Sequence, residues 1–261
     1  MKDITIIIPV HVYNEQVKEM LVKAIESVPS DYLIHIINPI KLNNELSLLV
    51  KKYDNVTVFS ATDENEPTDF CTLVNRGVLT CGTNWFSILE FDDEYTPIWF
   101  SNVEKEMEYK SDISVFMPLT ELVDFNNTRF VSYGNEAPWA SSFSNEIGYI
   151  DNECLQDFFD FYLTGSVFST LDWLNSGGLK PSIKVTFWYE FLLRLTNDGK
   201  KVYVIPKLGY KHNVNRDGSL YSEYSNTVTV DEADWWRELA KKECFFKKDR
   251  NKTYENNEKG E

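Results

Sequence analysis

The sequence predicts an α/β protein built on a doubly wound, mostly parallel sheet with helices on both faces. Three observations carry that prediction. The chain opens on a short β-branched run, residues 4–9, with almost no polar interruption. Such a run reads as a strand buried on both faces. Strand-like and helix-like segments then alternate through residue 118, the pattern of stacked βα units. An apolar strand at 85–91 ends abruptly in acidic residues, and sheets of this kind bind ligands at the carboxyl ends of their strands.

Each element has a local cause. Pro9 stops the first strand. Residues 15–28 place Val17, Met20, Leu21, Ala24, Ile25 and Val28 on one helical face. A second strand at 32–38 ends before Pro39, a helix follows at 42–53, and a third strand lies at 56–60. The polar stretch 62–69 is a loop, and residues 70–80 form the helix that leads into the acidic strand. Pro97 suits the first turn of a helix running to about 110. A strand at 113–118 closes the regular half. Beyond it the pattern loosens. A hairpin is expected over 121–133, turning at Asn126-Asn127. Helices are expected at 151–161, at 171–175 before Gly177-Gly178, and at 185–197 before Gly199. Strands are expected at 165–168, 202–205 and 208–212, then an amphipathic helix at 231–247 and a polar tail at 248–261.

Composition narrows the function. The 261 residues are 43% hydrophobic and 15% aromatic, enough for a substantial core. The net charge of −15 argues against a nucleic-acid partner. A phosphorylated ligand on such a chain needs local help, most simply a divalent cation bridging carboxylates to phosphate oxygens. The cysteines, Cys71, Cys81, Cys154 and Cys244, form no CxxC, and with three histidines a structural zinc site is disfavoured. A reducing, cytoplasmic setting is the expectation. No apolar run reaches the roughly 18 residues of a membrane helix. The Asn, Ile and Lys usage hints at an AT-rich genome, bacterial or viral. For a viral source the location would be the host cytoplasm or the virion, and an oligomer or larger assembly would suit either.

The richest stretch is Glu90-Phe91-Asp92-Asp93-Glu94, with four acids in five positions. In extended backbone Glu90 and Asp92 point the same way. Crowded carboxylates raise one another's pKa unless a cation neutralises them, and oxygen donors suit Mg²⁺ or Mn²⁺. A solvated acidic turn fits the same residues. The segment Val10 to Gln16 contains no Gly, Lys or Arg, which disfavours a nucleotidyltransferase phosphate loop.

Four segments, in order, resemble the family 2 glycosyltransferases of GT-A fold. They are residues 4–9 with Tyr13-Asn14; Ala24-Ile25-Glu26-Ser27-Val28; Asn75-Arg76-Gly77 with Trp85 and residues 89–97; and residues 191–199 with Val204-Ile205-Pro206, Tyr210-Lys211-His212 and Arg216-Asp217-Gly218-Ser219. The resemblance spans roughly residues 3–220. It implies residues 1–118 as the nucleotide-sugar-binding half, 119–230 as a smaller acceptor lobe, and 231–261 as a terminal helix and tail. It implies transfer of a sugar from a nucleotide-diphosphate donor, a UDP-sugar, to a carbohydrate or glycosylated acceptor, with inversion. Asp92 matches the metal-binding end of the Asp-x-Asp motif, and Glu90 takes its first position, toward ribose or metal. Pro9, Val10 and Tyr13 would border the base. Asn38 stands where the family usually has Asp, and Asn75 belongs to the donor side. His212 lies where relatives sometimes supply a third metal ligand, and a merely packed histidine fits that position equally.

This chain also departs from the family. Val74 stands where Arg is common, and Phe187-Trp188 stand where the family carries a Glu-Asp pair. Glu190 is the carboxylate left nearby. It either takes the acceptor proton as catalytic base or pairs with Arg194 across one helical turn. The departures also fit a catalytically degenerate GT-A domain in a larger assembly. Trp139 and Trp188 are the aromatic candidates for acceptor contact, and the polar stretch 213–222 reads as a lid.

Overall fold

The computed structural model describes residues 2–60, 63–65, 67–227 and 232–242. In chain order the first half comprises β1 (Ile4–Pro9), α1 (Glu15–Ser27), β2 (Leu33–Asn38), α2 (Asn43–Val50), β3 (Val56–Ser60), α3 (Phe70–Leu79), β4 (Trp85–Ile88), β5 (Glu94–Tyr95) and α4 (Trp99–Tyr109). The second half continues with β6 (Ile113–Asp124), β7 (Phe130–Gly134), β8 (Tyr149–Ile150), α5 (Cys154–Asp157), β9 (Val167–Ser169), α6 (Thr170–Ser176), α7 (Phe187–Asn197), β10 (Lys201–Val214), α8 (Leu220–Thr227) and α9 (Glu232–Lys242).

One ten-stranded sheet runs β3-β2-β1-β4-β9-β6-β10-β5, with β7 added to β6 and β8 to β10. β3, β2, β1 and β4 are parallel, the doubly wound half expected from the alternation. β9 is inserted antiparallel between β4 and β6, and β10 runs parallel to β6.

The apolar strands are buried because both faces are covered. β1 sends Ile7 into one core, with α3, α6 and α7, and Ile4, Ile6 and Ile8 into the other, with α1, α2 and α4. A period of two explains why every residue of β1 must be buried. Gly77 lets α3 sit directly on the sheet, since a Cβ there would meet Ile7 Cγ2 at 2.6 Å and Ile37 Cγ1 at 2.9 Å.

Several elements differ from expectation. β4 stops at Ile88, so Glu90, Asp92 and Asp93 lie on a turn and Glu94 opens β5. The helix expected at 151–161 shrinks to α5, and Phe158 is already extended at φ −139°. Phe158 and Phe161 instead pack against Phe143, a tertiary contact that outweighs helix propensity. The two strands around Pro206 are one strand, β10, whose register with β6 shifts between Val204 and Leu208. Residue 118 lies inside β6, so strands of both halves share the sheet. α9 covers part of the expected last helix, while 243–247 and the tail at 248–261 lie outside the described residues.

Candidate functional site

The acidic turn follows β4 at the carboxyl end of the parallel strands. Leu89 N donates to Ile7 O at 2.9 Å, and Val10 N donates to Ile37 O at 2.8 Å, so the three strand ends lie side by side. Asp93 N donates to Glu90 O at 3.1 Å and closes a turn over 90–93. The turn breaks the extended geometry in which Glu90 and Asp92 would share a side. Glu90 now converges with Asp93, and Asp92 faces elsewhere.

Asp93 is almost fully buried. Its Oδ2 lies 2.7 Å from Nδ1 of His212 on β10, and its Oδ1 accepts from Asn213 N at 2.8 Å. Tyr210, two residues before His212, lies wholly buried beneath, with its hydroxyl accepting from Glu90 N at 3.1 Å. Donor atoms of Glu90, Asp93 and His212 lie within 4.8 Å of one another. Asp92 pairs with Arg216, Nε to Oδ2 at 2.5 Å, and the guanidinium sits 5.1 Å from the Phe91 ring centroid. His11 packs on the same ring at 5.6 Å.

The electrostatics follow from this crowding. Burial, with the Asp93 charge next, pushes Glu90 up to about 8. Burial and Asp93 also raise Asp92, against the pull of Arg216. Burial disfavours the His212 cation, but the carboxylates, Asp93 foremost, outweigh it and hold the ring near 10. Burial, aided by Arg216, lowers His11 to about 4.

These residues fit a divalent cation. The donors are carboxylate oxygens with one imidazole, as Mn²⁺ or Mg²⁺ accepts. Both Asp93 oxygens are engaged, so Asp93 is suited to orienting His212, leaving the ring's Nε2 for a cation that displaces its proton.

The other residues singled out from the sequence fall in several places. Pro9 ends β1 and Val10 follows it, both buried, and Tyr13 packs half-buried against the α1 side. Asn38 is fully buried at the end of β2, where its Nδ2 donates to Pro39 O at 2.8 Å and its Oδ1 has no partner. Asn75 clamps the backbone of Leu179, donating to its carbonyl at 2.7 Å and accepting from its N–H at 2.9 Å. Glu190 has no exposed side-chain surface and pairs with Lys180 and Arg194, both at 2.6 Å. None of its hydrogen-bond partners belongs to the acidic turn. Trp139 donates to Val204 O at 3.0 Å, and Trp188 stacks on Phe168. A cavity of about 410 Å³ lined by Asp112, Asp172, Lys200 and Lys201 lies at the opposite strand ends, where those charges pair with each other.

Sequence reasoning named Asp93 within the acidic cluster and Asn213 and Arg216 within a lid, but gave none of them a role in the site. Four acids in five positions cannot all face one way, and that was the available signal for Asp93. Asn213 and Arg216 lie 120 and 124 residues from their partners, beyond any local pattern.

The architecture is a GT-A-like glycosyltransferase fold, with the acidic turn at its strand ends. Among solved structures, S. aureus TarS 1–349 in complex with UDP-GlcNAc matches with a TM-score of 0.61 at 12% identity, over 84% of this chain and 60% of that one. TarS 1–349 in complex with UDP matches at 0.59 and 11%, over 88% and 68%, and TarS itself at 0.59 and 11%, over 88% and 41%. This chain thus spans well under the full length of TarS. No family model matches the sequence, and no curated protein does. Among the described residues no helix is long and apolar enough to cross a membrane.

Proposed function

We propose that this protein is a metal-dependent glycosyltransferase of the family 2 type. In this reading it moves a sugar from a UDP-sugar to a hydroxyl of a carbohydrate or glycosylated acceptor, with inversion. The observation that carries the reading is the convergence of Glu90, Asp93 and His212 donors within 4.8 Å at the strand ends of a GT-A-like fold. The UDP-GlcNAc and UDP complexes of a structural neighbour support the donor class. Glu90, Asp92 and His212 would hold Mn²⁺ or Mg²⁺, with Asp93 orienting His212. Once bound, the cation offsets charge on the departing diphosphate. Pro9, Val10, Tyr13 and Asn38 border the base, and Asn75 braces the donor side through Leu179. Residues 1–118 then form the donor half and 119–230 the acceptor half. The setting is cytoplasmic, or the host cytoplasm or virion for a viral protein.

A second reading, a nucleotide-sugar-binding domain without transfer inside a larger assembly, is favoured by one observation. Glu190, the carboxylate nearest the missing Glu-Asp pair, is sealed by Lys180 and Arg194. Calorimetric titration with UDP, with and without Mn²⁺, tests what both readings share, and metal-dependent binding is expected. A donor-hydrolysis screen with Mn²⁺ then separates them, with Asp92→Asn as the control. Turnover lost in the control supports the enzyme. Binding without turnover supports the second reading, and absence of metal-dependent UDP binding sinks both.

A further inference from the structure

We propose that Arg216 is a displaceable counter-ion: it occupies Asp92 until a divalent cation takes that carboxylate, and it then meets the phosphate anion that arrives with the cation. The proposal rests on the cation-site reading above.

The ion pair is close and sheltered. Arg216 Nε lies 2.5 Å from Asp92 Oδ2, and the two side chains are 11% and 8% exposed. Both lie close enough to Glu90 to act on its charge, and Asp93 acts on Asp92 in turn. In such a setting an unneutralised carboxylate is costly, so some cation must serve when no metal is present. Arg216 fills that role, and it turns Asp92 away from the Glu90, Asp93 and His212 donors. That explains why the converging trio contains Asp93 and omits Asp92.

The loop does not need this ion pair for its position. Asn213 N donates to Asp93 Oδ1 at 2.8 Å, and Asn213 Nδ2 donates to the Asp92 carbonyl. Asn215 Nδ2 donates to Asp124 Oδ2 at 2.9 Å, and Asn126 Nδ2 donates to Asn215 O at 3.1 Å. These anchors tie residues 213–215, just before Arg216, to the 92–93 turn and to the turn at 124–126 whichever partner the guanidinium has. Phe91 offers Arg216 a flat surface at 5.1 Å along which to swing without losing its stacking. A planar fork leaving a carboxylate is suited to a phosphate, whose oxygens present the same bidentate geometry.

The exchange makes opposite predictions for two ligands. In Arg216→Gln, Mn²⁺ alone no longer competes with a guanidinium for Asp92, and its affinity should rise roughly tenfold. UDP in saturating Mn²⁺ loses a charged partner, and its affinity should fall by about the same factor. Both are read by calorimetry on the full chain, with Mn²⁺ binding checked by the electron paramagnetic resonance signal of the free ion. Arg216→Lys keeps the charge without the fork, so it should lie between the two and guard against a folding defect. Parallel loss of both affinities, or no change in either, overturns the exchange and leaves Arg216 a brace. If neither wild type nor variant binds Mn²⁺, the cation-site reading itself falls and the exchange with it.

Discussion

Asp93 Oδ2 and His212 Nδ1 lie 2.7 Å apart across 119 residues of sequence, joining the acidic turn to β10. A carboxylate accepts only, so the ring's Nδ1–H donates, and Nε2 is the nitrogen left for a cation once its own proton is displaced. Asp93→Asn removes the charge that favours the imidazolium. The His212 titration should move down from about 10 toward the ordinary histidine range, observable by NMR of the ring protons. Mn²⁺ affinity should fall about 10- to 100-fold, the usual cost of losing a partner that orients a metal-binding histidine. An unchanged titration would show that Asp93 does not control the ring.

Glu90 predicts a pH-dependent penalty. Its folded pKa, about 8, lies above the ordinary carboxyl value of 4.5. Between those values the folded state holds a proton that the unfolded state has lost, so this group's contribution to stability declines as pH rises. Glu90→Gln cannot ionise and should be more stable than the wild type above pH 8, with the difference vanishing near pH 4. Thermal midpoints from pH 4 to 9 in the absence of divalent ions read this directly. Mn²⁺ should reduce the difference by stabilising the ionised wild type.

The first half of the chain was legible in the sequence because its causes are local. The unbroken apolar run of β1, stopped at Pro9, and the one-sided apolar face of α1 each act within a few residues or through a simple period. The second half was less so. β9 enters the sheet antiparallel, and the pattern of residues 165–168 carries no sign of direction. At the site, the sequence led to Glu90, Asp92 and His212 but not to the turn that separates them. A turn closed by the Asp93 N–H depends on where β4 stops, and apolar periodicity continues past that point through Leu89 and Phe91.

Gly77 sets two effects against each other. Alanine is favoured over glycine in a helix interior by about 1 kcal/mol. A Cβ at this position would stand 2.6 Å from Ile7 Cγ2 and 2.9 Å from Ile37 Cγ1, both fully buried. Overpacking of such a core costs about 1–3 kcal/mol. The branched isoleucines of β1 and β2 have little room to turn, so crowding should win. Gly77→Ala should lower the thermal midpoint by a few degrees. A raised midpoint would mean that α3 lifts from the sheet at little cost.

Glu190 is where stability and catalysis make different demands. Its carboxylate, with no exposed surface, joins Arg194, one helical turn on, to Lys180 on the loop before α7. Arg194 also donates to the carbonyls of Ser176 and Gly178, so the cluster fastens α7 to the end of α6. Breaking a buried pair from one side costs about 3–5 kcal/mol. Glu190→Gln should come near the low end, because Arg194 keeps two carbonyl partners and Lys180, 45% exposed, can turn to water. Urea denaturation measures that loss. Transfer or donor hydrolysis, corrected for the folded fraction, supplies the other half of the test. A base is worth about 10²- to 10⁴-fold in rate. A strut that never meets the acceptor is worth little once folding is accounted for. A corrected rate within a few-fold of the wild type would remove Glu190 from the chemistry. A hundredfold loss with UDP affinity intact would require the Lys180 side of the cluster to open when the acceptor binds.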